Sequence, residues 1–478
     1  MHQVHAVTTN TLIKSSFWYT VSNYLTKAMV FITTPLFTRI LTPKEIGDFS
    51  VFASSQAILL IICGMESYST INRARFDYQG EKELDGYITS ALFLSTVFTA
   101  FVFSVFLIFP GLFYRFFVLD KKYMYIMFAY LFATPALWMF QAKQRIEYRY
   151  KLCAAITFAL AILSSTLAVG LALVLKNDRL FGRVFGQYIL NILVGIFFYL
   201  CFLKKSMDIR ASSIKYAFHM GLPLVFSYLG AQLLLSSGIF VVKHMSAGEN
   251  VGYLYIAQSC AQIILLFVQT LNSAWAPWFF DKLTTNELSL IQNVFRIYMW
   301  MIVFCTFGVL IIAPEIISVM GGSQYKDSLA IFPPVVLCGI FAVLTSQFGN
   351  LETYYKKPVY AAILTAIASV VNLVLAIIGV KMFDYRAVSF AMVISNILLI
   401  LLHYHITISM NIREILPFRD VLAVLLVSLI LIGISYPMYR NNLLRVGLLC
   451  FCFIAVLIVG FAKRRVIFKL MQEFRRKS

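Results

Sequence analysis

The residues of this chain that could do chemistry are few, and most of them stand inside long apolar runs. Lys27 lies near the middle of the first run, and with Tyr19, Asn23, Thr34 and Thr38 it makes a polar stripe at helical spacing. Gln258, Gln262, Gln269 and Asn272 make a second stripe, spaced four, seven and three. Glu66, Thr70, Arg73 and Asp77 follow one another at four, three and four, which on an unbroken helix is one face, and Arg75 stands beside them. Arg296 lies about two turns inside another run, and Glu352 closes a further one. A lysine or arginine turned to lipid at mid-depth costs about 3 kcal/mol. Lys27 and Arg296 are therefore expected to face protein or a hydrated cavity, where cations suit an anionic ligand.

Each of these residues also has a plainer role open to it. Lys27 can pair with Glu66, the amides of the second stripe can serve as hydrogen-bonding glue between helices, and Arg73, Arg75 and Asp77 can set topology at a helix end. Familiar catalytic signatures are missing. The sequence has no phosphate-binding GxxxxGK[ST] loop, no HExxH, no GxSxG and no Asp-x-Asp pair. His403 and His405 flank Tyr404 and, two apart on a helix, point to different faces; they read as interfacial histidines. The eight cysteines fall in apolar runs and read as packing residues. No cofactor or metal is expected, and a non-enzymatic protein is the reading that fits.

The elements that must position these residues are membrane helices. The chain has 478 residues, 60% hydrophobic and 13% charged, with a mean hydropathy of +0.83, where a soluble protein carries about 25% charge. Apolar runs long enough to cross about 30 Å of hydrocarbon recur along its length and do not alternate as barrel strands do. The expected fold is an all-α polytopic membrane protein of about fourteen spans, from 13–38 to 443–462. The shortest signals are the fourth span, 123–141, and the thirteenth, 421–436. No cleavable leader is evident, so the first helix is expected to be retained. The net charge of +19 is spread over short loops and a basic tail. It fits the positive-inside rule and anionic lipid better than nucleic acid, and it places both termini in the cytoplasm.

An internal repeat organises the spans. TPKEIGDFSVFASSQAIL, from Thr42, is matched by SAGENVGYLYIAQSCAQIIL, from Ser246. Each opens with a Ser/Thr-x-x-Glu capping box, Thr42 with Glu45 and Ser246 with Glu249, and runs through a branched residue and glycine into a membrane helix. The copies share an orientation, which predicts two parallel six-helix lobes related by an axis along the membrane normal. The expected units are 1–205, 206–410 and, as an added helix pair with a basic cytoplasmic tail, 411–478. The two polar stripes then lie on equivalent elements facing one cleft.

PLFTRILTPKEIGDFS followed by a helix ending in RARFD resembles the N-terminal hairpin of the Wzx-type polysaccharide flippases, of the multidrug/oligosaccharidyl-lipid/polysaccharide exporter superfamily. The resemblance implies alternating access and a bacterial cytoplasmic (inner) membrane location. It implies a cargo of undecaprenyl-pyrophosphate-linked oligosaccharide for O-antigen, lipopolysaccharide, capsule or a related polymer, with membrane lipids and possible polymerase and chain-length-regulator partners. Lys27, with Asn23, would meet the diphosphate. Arg73, Arg75 and Arg296 would act at entry or in the cleft, and Gln258, Gln262, Gln269 and Asn272 would hydrogen-bond sugar hydroxyls. Glu66 and Glu352 would couple transport to a proton or sodium gradient. A lipid II flippase or a multidrug–cation antiporter of the same superfamily is the alternative, and a membrane-embedded polymerase a more distant one.

Overall fold

The computed structural model describes residues 28–147 and 149–450. Its helices in chain order are α1 (Ala28–Ile40), α2 (Pro43–Gly64), α3 (Ser67–Asp77), α4 (Glu81–Ile108), α5 (Pro110–Phe117), α6 (Lys121–Ile146), α7 (Tyr150–Val174) and α8 (Arg179–Lys205). They continue as α9 (Ala211–Met245), α10 (Gly248–Thr284), α11 (Leu288–Ile311), α12 (Ala313–Gly321), α13 (Ser328–Tyr354), α14 (Val359–Met382), α15 (Ala387–Ser409) and α16 (Phe418–Arg440). The protein is an all-α polytopic membrane protein. Among the described residues twelve helices, from Pro43–Asp77 to Phe418–Arg440, are long and apolar enough to span a bilayer. They coincide with the second to thirteenth expected spans, including the two with the shortest signals. The first and fourteenth fall partly outside the described residues.

One expected span is not a single helix. α2 ends at Gly64 and α3 begins at Ser67, with Met65 and Glu66 both left-handed at φ 49° and 48°. Non-glycine residues pay about 1–2 kcal/mol each for that conformation, so the surroundings must hold it. They do: Ser95 of α4 donates to the Cys63 carbonyl at 3.2 Å, and Ser67 Oγ donates to the Gly64 carbonyl at 2.8 Å. The break undoes the single polar face read from the sequence. Glu66 and Thr70 are buried, whereas Arg73 and Asp77 are exposed at the helix end.

α6, α7 and α8 pack together in the first half, and α9, α10, α13, α14 and α15 in the second. The contacts that join the halves include α2 on α10 and, on α9, each of α2, α3 and α4. α9 therefore packs on both halves, although the repeat assigns it to the second. Below, the two ends of the bundle are named after Thr42, where α2 starts, and Asp77, where α3 stops.

Candidate functional site

At the Thr42 end the turn before α2 forms the expected capping box. Glu45 N–H donates to Thr42 Oγ1 at 3.3 Å, and Glu45 Oε2 accepts from the Thr42 N–H at 2.8 Å. The second copy departs from the expectation. Its one-residue insertion moves the N-cap of α10 to Ala247, which puts Asn250 rather than Glu249 at the third helical position, and Asn250 Nδ2 donates to Ser246 Oγ at 2.7 Å. What the repeat does supply is a pair of glycines that lock together. A Cβ on Gly47 would lie 2.7 Å from the Gly248 carbonyl oxygen and 3.0 Å from the Gly252 nitrogen; one on Gly252 would lie 2.1 Å from the Pro43 carbonyl oxygen. Each copy rests on the other's backbone, the reciprocal contact that a two-fold relation produces.

Beside this crossing sits Arg183 of α8, 3% exposed. Its guanidinium carbon lies 3.5 Å from the ring centre of Phe49 (α2) and 4.2 Å from that of Phe37 (α1). Tyr255 of α10, Tyr188 and Tyr325 stand around it, and Tyr255 meets Phe49 edge to face at 6.2 Å. Its Nε and Nη1 have no hydrogen-bond partner among the described residues. Asp48, which precedes Phe49, is paired with Lys243 of α9. Burying an unpaired charge costs several kcal/mol, and cation–π contacts return about 2 when desolvated. Nothing in the sequence singles out Arg183, because an arginine just inside an apolar run looks the same as a topology-setting charge.

At the Asp77 end the junction is made by hydroxyls. Tyr216 of α9 donates to Asp77 at 2.5 Å, Ser213 donates to the Tyr78 hydroxyl at 3.2 Å, and Tyr78, Tyr87 and Tyr216 pack ring to ring. Arg73 joins this group, 3.7 Å from Asp77. Arg75 lies over the ring of Phe76 at 4.5 Å. Thr70 shares a 2.5 Å hydrogen bond with Tyr87 of α4. Glu66, deeper in, accepts from Ser69 at 3.1 Å and lies close to Tyr68 and to Tyr228 of α9. No basic side chain among the described residues pairs with it. Below it α9 presses against the break: a Cβ on Gly221 would lie 2.3 Å from the Met65 carbonyl oxygen.

The amide stripe of α10 divides. Gln258 donates to the Leu235 carbonyl of α9 at 3.3 Å. Gln262 lines a cavity of about 190 Å³ with Ser259 of α10, Phe31 and Thr34 of α1, and Met320 of α12. Gln269 is exposed. Asn272 accepts from Asn350 at 3.2 Å and from Gln347 at 3.4 Å, both on α13, so it binds helix to helix. Thr38, the next member of the α1 stripe, donates to the Met320 carbonyl at 2.7 Å. Lys27 and Asn23 lie outside the described residues.

The remaining candidates stand apart from this seam. Arg296 makes a two-pronged pair with Asp420 of α16, at 3.0 and 3.1 Å, and is about half exposed; it ties α16 to α11. Glu352 and His403 form a hydrogen bond of 2.6 Å between α13 and α15, both fully buried, with His403 stacked on Phe348. Glu352 Oε2 and His403 Nε2 have no partner among the described residues. This corrects the interfacial reading of His403; His405, two residues on, is exposed. The two partners are 51 residues apart in sequence, and no local spacing announces them.

The family model described as "Polysaccharide biosynthesis protein" matches residues 12–282, more than half of the chain. The chain belongs to that family. The matched stretch includes both turn-and-helix copies and therefore both sides of the glycine crossing. Protein 1 of the Lsg locus of Haemophilus influenzae is 19% identical over 411 residues, covering 83% of this chain and 98% of its own. Among solved structures, the lipid II flippase MurJ in an inward closed conformation superposes with a TM-score of 0.65 at 15% identity. It covers 94% of this chain and 99% of its own. A multidrug resistance MATE transporter of the MOP superfamily, facing inward, gives 0.61 at 15% identity, covering 81% and 95%. These two likenesses establish the fold. The family and the fold together agree with the resemblance to Wzx-type flippases carried by the N-terminal hairpin.

Proposed function

We propose that this polysaccharide biosynthesis family member is a flippase. It moves undecaprenyl-pyrophosphate-linked oligosaccharide units across a bacterial cytoplasmic membrane by alternating access. The observation that carries the reading is the pairing of a polysaccharide biosynthesis family with a fold shared by a lipid II flippase and a MATE transporter. The joint between the halves supports it. Lobes 1–205 and 206–410 rock about the α2–α10 crossing, with the pair from 411 riding on the second lobe. The Asp77 end is cytoplasmic, as are both termini.

Lys27 precedes Thr34 by seven residues in the sequence, the spacing of two helical turns, and Thr34 lines the cavity shared with Gln262. Lys27 and Asn23 contact the diphosphate. Gln258, Gln262, Gln269 and Asn272 offer amides to sugar hydroxyls, and Arg73 and Arg75 receive the anionic head at the entry. Arg296 keeps its pair with Asp420 through the cycle. Glu66, at a helix break of the kind that marks transporter sites, and Glu352, beside His403, are the groups that bind the coupling ion. The products feed a polymerase and a chain-length regulator in surface polysaccharide assembly, as O-antigen, lipopolysaccharide or capsule.

Lys27→Ala should abolish surface polysaccharide while the protein stays in the membrane, and Lys27→Arg should be milder. Full export by a well-expressed Lys27→Glu protein removes Lys27 from the path. The class itself is read in vesicles: the purified chain must expose a lipid-linked oligosaccharide to an added glycosidase on the opposite leaflet, and failure to do so ends the flippase reading.

A further inference from the structure

The charged group left unexplained by the fold is Arg183. It is an arginine at the junction of the halves, hydrogen-bonded to Tyr255 but with Nε and Nη1 unpartnered among the described residues, and with two phenylalanine faces where a carboxylate would be expected. Asp48, the residue before Phe49, is paired with Lys243 of α9. Helix packing alone does not call for a guanidinium here, since a methionine or leucine would fill the same space without two orphan donors.

The partners around Arg183 divide between the halves. Phe37 and Phe49 belong to α1 and α2, on the side of Arg183, whereas Tyr255 and Tyr325 belong to the second half. Phe49 and Tyr255 touch across the seam at 6.2 Å. Moving the second half away from α2 would take Tyr255 and Tyr325 off the guanidinium and leave it with the two phenylalanines and with Tyr188 of its own helix. A planar guanidinium with free N–H edges matches phosphate oxygens two at a time.

We propose that Arg183 is a concealed anion site, covered by Tyr255 and Tyr325 while the Thr42-end seam is closed and offered to the diphosphate of the cargo when α2 and α10 part. The ligand class, a phosphate or diphosphate ester, rests on the flippase reading. The geometry asks only for a compact anion with paired oxygens. Arg183 would act at the release end of the path, where Lys27 is not required.

The test uses the full chain in lipid nanodiscs, with inorganic pyrophosphate as the probe. A Lys44→Cys, Gly248→Cys pair serves as a lock, since a Cβ on Gly248 lies 3.1 Å from the Lys44 Cγ. Reduced protein should bind pyrophosphate; the oxidised, locked protein should not. Arg183→Met should lower the affinity at least tenfold while its melting temperature stays equal to or above that of the wild type, which a merely structural arginine would not allow. Arg183→Lys keeps the charge without the fork and should bind at an intermediate level with the fold intact. Undiminished binding by Arg183→Met, no effect of the lock, or no binding by the reduced wild type overturns the site. The vesicle assay separates this from the flippase reading. Wild-type transport by Arg183→Met removes the site and leaves the flippase standing, whereas Arg183-dependent binding in a chain that moves no lipid-linked saccharide does the reverse.

Discussion

The halves of this protein meet at both ends of the bundle, with different chemistry at each. At the Thr42 end the α2–α10 contact is backbone on backbone, Gly47 and Gly252 against one another, closed over by aromatic rings around Arg183, with the Asp48–Lys243 pair and the Thr38–Met320 hydrogen bond beside it. At the Asp77 end it is hydroxyl on carboxylate, Tyr216 on Asp77, and hydroxyl on hydroxyl, Ser213 on Tyr78, partly open to solvent. A dry steric contact is lost all at once when its surfaces are pushed apart, because dispersion falls off within about an ångström. A hydroxyl–carboxylate contact can be handed over to water one bond at a time, at a net cost of about 1 kcal/mol each. The first therefore behaves as a two-position joint and the second as a latch that hydrates.

Five substitutions sharpen or break this contrast, in order of expected effect. Gly252→Ala drives a Cβ to 2.1 Å from a backbone oxygen, and overpacking of this kind costs about 1–3 kcal/mol, occasionally more. It should cause the largest fall in melting temperature, ahead of Gly47→Ala, where the clash is 2.7 Å. A melting curve unchanged by Gly252→Ala would show that the crossing is loose. Tyr216→Phe removes the hydrogen bond to Asp77 and should cost about 1 kcal/mol, visible as faster labelling of a cysteine placed at Ser213; unchanged labelling contradicts the latch. Thr42→Ala removes a formed cap and should also cost about 1 kcal/mol. Ser246→Ala, whose oxygen accepts from the Asn250 side chain rather than from a helix N–H, should cost a few tenths; equal losses would mean that the two turns are capped alike.

The smallest effect belongs to Glu287, in the turn between α10 and α11. A hydrogen bond from Lys282, then one from Thr285, holds its carboxyl below the ordinary value of 4.5. A depressed carboxyl stabilises the fold above its unfolded value and loses that contribution as pH falls through the folded value. The melting difference between wild type and Glu287→Gln should be present at pH 7 and shrink below pH 4.5. A difference that grows on acidification reverses the assignment.

Much of the fold was written in the sequence because the bilayer enforces it: runs that must satisfy their own backbone become helices at the expected places. The repeat was legible for the same reason that it matters, since glycine is the residue that close backbone approach leaves. The break at Met65–Glu66 was not legible. Neither residue favours a left-handed conformation; what holds it is contact with other helices, through Ser95 of α4 and Gly221 of α9. Arg183 and the Glu352–His403 pair were hidden likewise, because burial and pairing across helices leave no local spacing to read. Arg296 looked like a cleft residue from its depth in an apolar run, but its partner Asp420 is on α16, 124 residues on.

The glycine crossing also has a schedule. α2 is synthesised long before α10, and at 5–20 residues per second the wait for its partner is roughly 10–40 seconds. Throughout that interval the groove at Gly47 of α2 lacks the α10 backbone that fills it, and small residues on a helix surface are where transmembrane helices associate. A nascent first half thus has time to meet another copy of itself before its own second half arrives. The insertion machinery, or sheer dilution in the membrane, must keep that groove vacant until residue 252 is in place.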